Sequence, residues 1–253
     1  FLPKNLRKHV AVIYRFARQA DDIADEGNYS VEQRLERLNN YKKELSDALQ
    51  KKYKEPFWEI FCLTVDKFNL TPQLFFDLLS AFEQDIHKTR YDSSDELLDY
   101  CKRSANPVGR IILEFFNIRD VKALQYSDAI CTALQLTNFY QDVSIDWLKG
   151  RIYLPVSDMK EFNIDETKFA EKKCDENFTR VMKIQIEKTY NLFNEGKNLL
   201  PLLPRRLRFQ IRLTILGGAE ILKKIEKLKY DVLNFRPKLS IIDYAKLFFK
   251  AVI

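Results

Sequence analysis

The chain has 253 residues, 46% hydrophobic and 31% charged, a balance that excludes disorder and allows about three-quarters of the unfolded surface to be buried. Its net charge of +6 would suit a polyanion, but the lysines are scattered and the acids cluster where a polyanion would sit, so no nucleic-acid partner is expected. No apolar run reaches about 18 residues, so no transmembrane helix is expected.

Four widely spaced cysteines, Cys62, Cys101, Cys131 and Cys174, fit neither a zinc site nor a disulfide framework, and suit a reducing compartment. Six glycines and eight prolines are few, which favours long helices. With no Gly/Ser/Pro-rich linker, a single domain over 1–253 is expected. No secretory leader is legible. Phe1 in place of Met, and an apolar stop at Ile253, read as the ordered part of a longer protein with truncated termini.

In chain order, residues 5–26 read as a helix ending at Gly27. Ser30 or Val31 opens a second helix with Leu35, Leu38, Tyr41, Leu45 and Leu49 as its apolar stripe. Pro56 opens a third, to about Phe68. Thr71-Pro72 starts a fourth through Phe82, with Glu83, Asp85, His87 and Arg90 near its end. Ser94-Asp95-Glu96 begins a fifth, and Asn106-Pro107 inside it predicts a kink or break bracketed by the small residues Ser104, Ala105 and Gly109. One helix is predicted over 120–149, irregular or short-helical chain over 156–174, and a helix over 176–200 ending near Pro201 and Pro204. Residues 205–233 are predicted helical with Ile211, Ile215, Ile221, Leu222, Ile225 and Leu228 as core, and a last helix starts at Ser240. No strand signal survives, so the fold class is all-α.

Within 120–149, Gln135, Asn138, Asp142 and Asp146 are spaced three, four and four, which places them on one helical face. Their neighbours Leu136, Phe139, Tyr140, Val143 and Ile145 are apolar, so this line of amides and acids is expected to face a cavity. Near the start, Tyr14, Arg18, Asp21 and Asp25 are spaced four, three and four, again on one face. Carboxylates one turn apart, ~5–6 Å between Cβ atoms, repel unless a cation lies between them. Sparse hard oxygen donors suit Mg²⁺, which keeps waters and takes its other ligands from substrate phosphates. Each pair is followed by a helix-ending glycine, Gly27 or Gly150. Two such pairs predict two carboxylate clusters clamping a diphosphate through Mg²⁺.

These motifs resemble the squalene/phytoene synthase family of isoprenoid enzymes. Arg18 to Asp25 resembles its Arg-x-x-Asp-Asp-x-x-Asp, and Gln135 to Asp146 its Gln-x-x-Asn-x-x-x-Asp-x-x-x-Asp. Arg151 to Pro155 resembles its Arg-x-Tyr-x-Pro. Phe1-Leu2-Pro3-Lys4 with Leu6-Arg7, the segment Tyr100 to Gly109, and Asn138-Phe139-Tyr140-Gln141-Asp142 resemble the bacterial hydroxysqualene-forming branch. The resemblance covers nearly the whole chain and implies a class I isoprenoid synthase helical bundle around an active-site cavity.

The resemblance implies ionisation of a prenyl diphosphate and carbocation chemistry in an apolar pocket. It implies Asp21, Asp25, Asp142 and Asp146 as metal ligands, with Asp22 and Asn138 as auxiliaries, on the order of two or three Mg²⁺ ions. Arg18 and Arg151 are the candidate diphosphate donors. Tyr14, Tyr100, Ala105, Val108, Gly109, Leu134, Gln135 and Tyr153 are the candidate pocket residues, and most of the 19 Phe and 12 Tyr are expected to be core. Tyr230 to Leu233 with Arg236-Pro237 resembles a segment near the site's mouth. His9 and His87 have no triad or zinc spacing, and no nicotinamide fingerprint is present, so no nicotinamide cofactor is expected.

At position 141 the chain departs from the family's condensing members, which usually carry Arg before the aspartate matching Asp142; here it is Gln141. A neutral amide suits an enzyme that binds one diphosphate and captures water, so Gln141 is a catalytic candidate. Presqualene diphosphate plus water giving hydroxysqualene is the leading reading. Head-to-head condensation to presqualene diphosphate, squalene or phytoene is the alternative, and a non-catalytic assembly or lipid-binding relative belongs to another class. The implied location is the bacterial cytoplasm, with peripheral membrane association compatible with the basic balance. Oligomeric state is not legible.

Overall fold

A computed structural model describes residues 3–252. Among them, helices follow one another as α1 (Lys4–Asp25), α2 (Val31–Leu49), α3 (Pro56–Phe68), α4 (Gln73–Asp85), α5 (Ser94–Ser104), α6 (Asn106–Phe115) and α7 (Val121–Gln141). Then come α8 (Val143–Leu148), α9 (Val156–Glu161), α10 (Thr167–Ala170), α11 (Glu176–Gly196), a 3₁₀ turn (Lys197–Leu202), α12 (Arg205–Lys227) and α13 (Ile241–Val252). No strand occurs among the described residues. Contacts divide the chain into two compact units, Phe1–Lys88 with Lys102–Leu124, and Thr89–Cys101 with Gln125–Ile253.

In the first unit, α1 buries Leu6, His9, Ile13, Phe16, Ala20 and Ala24, a three-four repeat that defines its inner face. Phe16 is wholly enclosed, stacked on Tyr41 at 5.5 Å and flanked by Phe61 and Phe75 at 5.1 and 5.4 Å. The Tyr41 hydroxyl donates to the Phe16 carbonyl at 3.2 Å, so this aromatic core leaves its polar tip satisfied. Ser30 and Gln33 form a reciprocal capping box at the start of α2. Pro56 sits in the first turn of α3, which ends on left-handed Asn69. At the start of α4, the Thr71 N–H and hydroxyl both donate to the buried Glu114 carboxylate, at 2.8 and 2.5 Å, and Arg119 completes the cluster at 2.5 Å. His9 is buried on Thr64 at 2.9 Å and edge-on to Phe68, a packing role.

The kink or break expected at Asn106-Pro107 is a full break: Ala105 separates α5 from α6, and Pro107 falls in the first turn of α6, where its missing N–H costs nothing. Three expectations need correction. The fourth helix ends at Asp85, so His87 and Arg90 lie beyond it. The helix predicted over 120–149 is two, because Asp142 leaves helical geometry at φ −105° and ψ 15°. The Asp142 N–H still reaches the Asn138 carbonyl at 2.9 Å, and the Asp146 N–H the Asp142 carbonyl at 2.8 Å. The face shared by Gln135, Asn138, Asp142 and Asp146 therefore runs on through the break. The helix predicted over 205–233 stops at Lys227, because Lys229 and Tyr230 take left-handed φ values of 53° and 65°.

In the second unit, a Cβ at Gly196 would clash with Ile130 and sit 3.2 Å from the Tyr126 carbonyl, so glycine lets α11 and α7 approach closely. Ile215, Ile221, Leu222 and Ile225 of α12 are buried as expected, whereas Ile211 and Leu228 are only half-buried.

Candidate active site

The first acidic cluster stands on the outer face of α1. Burial of Phe16, Ala20 and Ala24 turns Tyr14, Arg18 and Asp25 outward, with Asp21 and Asp22 half-buried. Arg18 pairs with Asp21 at 2.9 Å and Asp22 at 2.6 Å, and reaches Glu26 at 3.5 Å. Its positive charge offsets the repulsion of adjacent carboxylates. Gly27, at φ +79°, ends the helix. Arg34 of α2 then closes it: its guanidinium donates to the carbonyls of Ala24 at 2.7 Å, Glu26 at 3.1 Å and Gly27 at 2.8 Å. These are the carbonyls a helix end leaves unpaired, and a cation there also suits the helix dipole.

The second cluster lies along α7 and α8. Leu136, Phe139, Tyr140 and Val143 are buried, while Asn138 is exposed and Leu134, Gln135, Gln141, Asp142 and Asp146 are half-buried. The expected polar line thus lies along an accessible face. Arg236 grips Asp142 with both arms, Nε to Oδ1 at 2.6 Å and Nη2 to Oδ2 at 2.9 Å. The Gln141 amide donates to the next carbonyl, Pro237, at 2.6 Å. The segment after Tyr230 is therefore strapped across the end of α7. Burial, then the nearby Asp142 charge, push the Asp146 carboxyl up to about 6.

The return after Gly150, itself at φ +75°, is tied down by its own backbone. The Arg151 N–H donates to the Asp146 carbonyl at 2.8 Å, and the Ile152 N–H to the Thr89 carbonyl at 3.0 Å. Arg90 holds the Gly150 carbonyl at 2.6 Å while forking onto Glu166. This places Tyr153 face to face with Phe139, ring centres 3.7 Å apart and planes 8° apart. Tyr100 lies 6.1 Å from Phe139 and 6.4 Å from Tyr153, and Tyr91 stacks on Tyr153 at 5.7 Å. Tyr91, Tyr100 and Phe139 are buried in this cluster, and Tyr153 is half-buried.

The model of the squalene/phytoene synthase family matches residues 1–243. This chain belongs to the squalene/phytoene synthase family. It is 29% identical over 239 residues to a hydroxysqualene synthase of Sinorhizobium fredii, covering 94% of the chain and 80% of the relative. It is 28% identical over 248 residues to a phytoene synthase of Arthrospira platensis, covering 93% and 80%. The squalene synthase HpnC of Alicyclobacillus acidocaldarius superposes with a TM-score of 0.86 at 34% identity, over 90% of this chain and 86% of that one. The expected isoprenoid synthase helical fold is thereby shown. Among the described residues, no helix is long and apolar enough to cross a membrane.

In this chain, the structure joins Arg18, Asp21 and Asp22 on one unit, and Tyr100 with Tyr153 on the other. Ala105 and Gly109 are buried beside the break, and Val108 is exposed. The resemblance drawn at Phe1-Leu2 lies outside the described residues. Sequence reasoning missed Arg34, Arg90, Tyr91 and Phe139 as parts of the site, and gave Arg236 no role. Only Arg236 carried a signal, its place beside Pro237 after Tyr230.

Among the described residues, no group of three or more His, Cys, Asp or Glu side chains is arranged as a ready-made metal cage. The donors nevertheless fit Mg²⁺, which is commonly held by one or two carboxylates plus phosphate oxygens and water. Asp142 and Asp146 are such a pair; the Asp146 carboxyl is raised first by burial and then by the Asp142 charge, and a cation beside the pair would offset that charge.

Proposed function

We propose that this chain is a hydroxysqualene synthase that ionises presqualene diphosphate and directs water onto the resulting cation. Asp142 and Asp146, with Asn138, would hold Mg²⁺ on one acidic motif, and Asp21, Asp25 and Asp22 on the other. When bound, the metal would neutralise charge building on the leaving diphosphate. The carbon–oxygen bond to diphosphate breaks with its electron pair going to the leaving group. Water oxygen bonds to the carbocation, and its proton passes to solvent or diphosphate.

Arg18 and Arg151, next to the motifs in sequence, would grip diphosphate oxygens, since a guanidinium binds phosphate bidentately. Tyr153, held rigid on Phe139, and Tyr100 supply aromatic surface for the cation. Tyr14, Ala105, Val108, Gly109, Leu134 and Gln135 would border the prenyl chain. The observation that carries the hydroxysqualene reading is Gln141, a neutral amide anchored to the Pro237 carbonyl where an arginine would favour two diphosphates.

One observation favours the second reading, head-to-head condensation. Arg236 brings a guanidinium to Asp142 from another part of the chain and restores the charge that Gln141 lacks. The two readings separate in one assay. Purified protein with Mg²⁺ receives farnesyl diphosphate in one tube and presqualene diphosphate in another, without a nicotinamide cofactor. Hydroxysqualene from the second tube alone is expected; robust product from farnesyl diphosphate promotes condensation. Asp21→Ala and Asp142→Ala should each lower turnover by about 10³-fold or more, the scale of several kcal/mol of charge stabilisation. Full turnover by either variant, or in chelator, would defeat the metal-dependent reading.

A further inference from the structure

Within the second unit, α5, α7 and α11 line a cavity of about 310 Å³. Helix α7 contributes Leu136 and Tyr140 to it. Leu136 follows Gln135, so it lies about 100° round the helix from the line of amides and acids. The cavity thus opens on a different side of α7 from Asn138, Asp142 and Asp146. Its lining is graded along its length. Each helix gives a polar residue and, one or two turns away, leucine: Ser94 then Leu97 and Leu98 on α5, Tyr140 then Leu136 on α7, and Gln185 then Leu192 on α11. Hydrogen bonds gather the three polar residues at one end. The Tyr140 hydroxyl donates to the Gln185 side-chain oxygen at 3.2 Å. The Gln185 amide donates to Asp158 of α9, and the Ser94 hydroxyl donates to the same carboxylate oxygen at 3.4 Å. Tyr140 and Gln185 are both buried. The leucines make up the other end, a lining of the kind that holds small ligands.

Charge and shape identify the occupant. The Asp158 carboxylate disfavours an anionic head at the polar end. Lys188, also in the lining, stands 3.6 Å from Asp158, balances its charge and disfavours a cationic head. Glu195 lies about two turns further along α11, at the leucine end, and is exposed to water that screens it. The polar end therefore carries no net charge. It still offers the Tyr140 oxygen, which has given its one proton to Gln185 and retains the capacity to accept. A hydroxyl head meets that need by donating to it. Branched leucines, rather than flat rings, suit an aliphatic chain, which gains by leaving water. At about 30 Å³ for a water-sized group, a cavity of about 310 Å³ holds about ten carbon atoms.

We propose that this cavity is a further ligand site, which takes a neutral aliphatic alcohol with its hydroxyl on Tyr140 and its chain among the leucines. The site stands apart from the reaction assigned above. Its test titrates the full natural chain by calorimetry with decanol, decanoate and decylammonium, each below the concentration at which it aggregates. Decanol should bind saturably, and the two charged ligands about tenfold or more weakly, because an ion loses more on leaving water. Leu98→Trp and Leu192→Trp fill the cavity from half-buried positions, where a larger side chain has room to turn outward. Each should weaken decanol binding by about tenfold or more, on the apolar burial denied to the chain. Far-UV circular dichroism should stay unchanged. Asp158→Asn supplies a gain that misfolding cannot mimic. With Lys188 left unbalanced, it should bind decanoate about tenfold or more tightly than the wild type does, and decanol about as before. The absence of saturable decanol binding overturns the proposal, since the full chain would then have no such site open. So does undiminished binding by both tryptophan variants, which would place decanol elsewhere in the chain. An unaltered decanoate affinity in Asp158→Asn overturns it as well, because charge would not then select the head.

Discussion

Asp142 stands beside a second carboxylate, Asp146, and the proposed reaction would have both hold a metal. The Arg236 fork occupies both Asp142 carboxylate oxygens and offsets their charge. In that reaction the same guanidinium would pass from carboxylate to phosphate. Arg236→Ala should therefore raise KM for the diphosphate substrate and lower kcat/KM. A charge-assisted bond contributes about 1.5–3 kcal/mol, but the Arg236 side chain is 37% exposed, so the lower end applies and about tenfold is expected. Arg236→Lys should recover the charge but not the two-armed grip, and fall between. Steady-state kinetics at saturating Mg²⁺ decides; an unchanged KM in the alanine variant would leave Arg236 a purely structural tie. No local pattern reveals this pair, because its partners lie 94 residues apart. The aspartates themselves are legible, because three-four spacing in apolar sequence fixes which face they share.

Among elements, the end of α1 is where sequence and structure connect most closely to function. Gly27 stops the helix two residues after Asp25, and Arg34 binds the freed carbonyls. Arg34→Ala should destabilise the protein by about 1 kcal/mol in urea unfolding, since the part-buried Ala24 carbonyl and the exposed carbonyls of Glu26 and Gly27 lose a charged donor. Arg34→Lys should restore only part, because one ammonium cannot span the carbonyls of Ala24, Glu26 and Gly27. Midpoints equal to wild type in both would mean that solvent caps this helix. The end of α1 and the start of α2 were legible within a residue or two from Gly27 and Ser30, both of which perform a local task. The break at Asp142 was not, since no Gly or Pro marks it. Nor was the end of α12, where Lys229 and Tyr230 adopt a left-handed backbone that their side chains disfavour. At the end of α7, the contacts of Arg236 with Asp142 and of Pro237 with Gln141 accompany the break.

At the scale of the whole molecule, the chain passes between its two compact units three times, at 88–89, 101–102 and 124–125. Repeated crossing without a linker supports the proposal that the two units unfold as one domain. Each unit carries one acidic motif, and the proposed reaction requires both motifs on the same diphosphate. A ligand that binds only the folded chain stabilises it by about 2.7 kcal/mol at a hundredfold excess over Kd. For a chain of this size, about 2–4 °C accompanies each kcal/mol, so Mg²⁺ with diphosphate should raise Tm by roughly 5–10 °C. Either component alone should do much less, because the carboxylates repel free diphosphate and the metal lacks its phosphate ligands. If both motifs grip one diphosphate, Asp21→Ala and Asp142→Ala should each remove nearly the whole shift. Were the motifs to bind independently, each variant would keep about half. Calorimetry of the wild type and both variants distinguishes these outcomes. A single transition that moves as one supports one domain clamped by one ligand, whereas two transitions, with only one responding, would overturn both the single domain and the shared diphosphate.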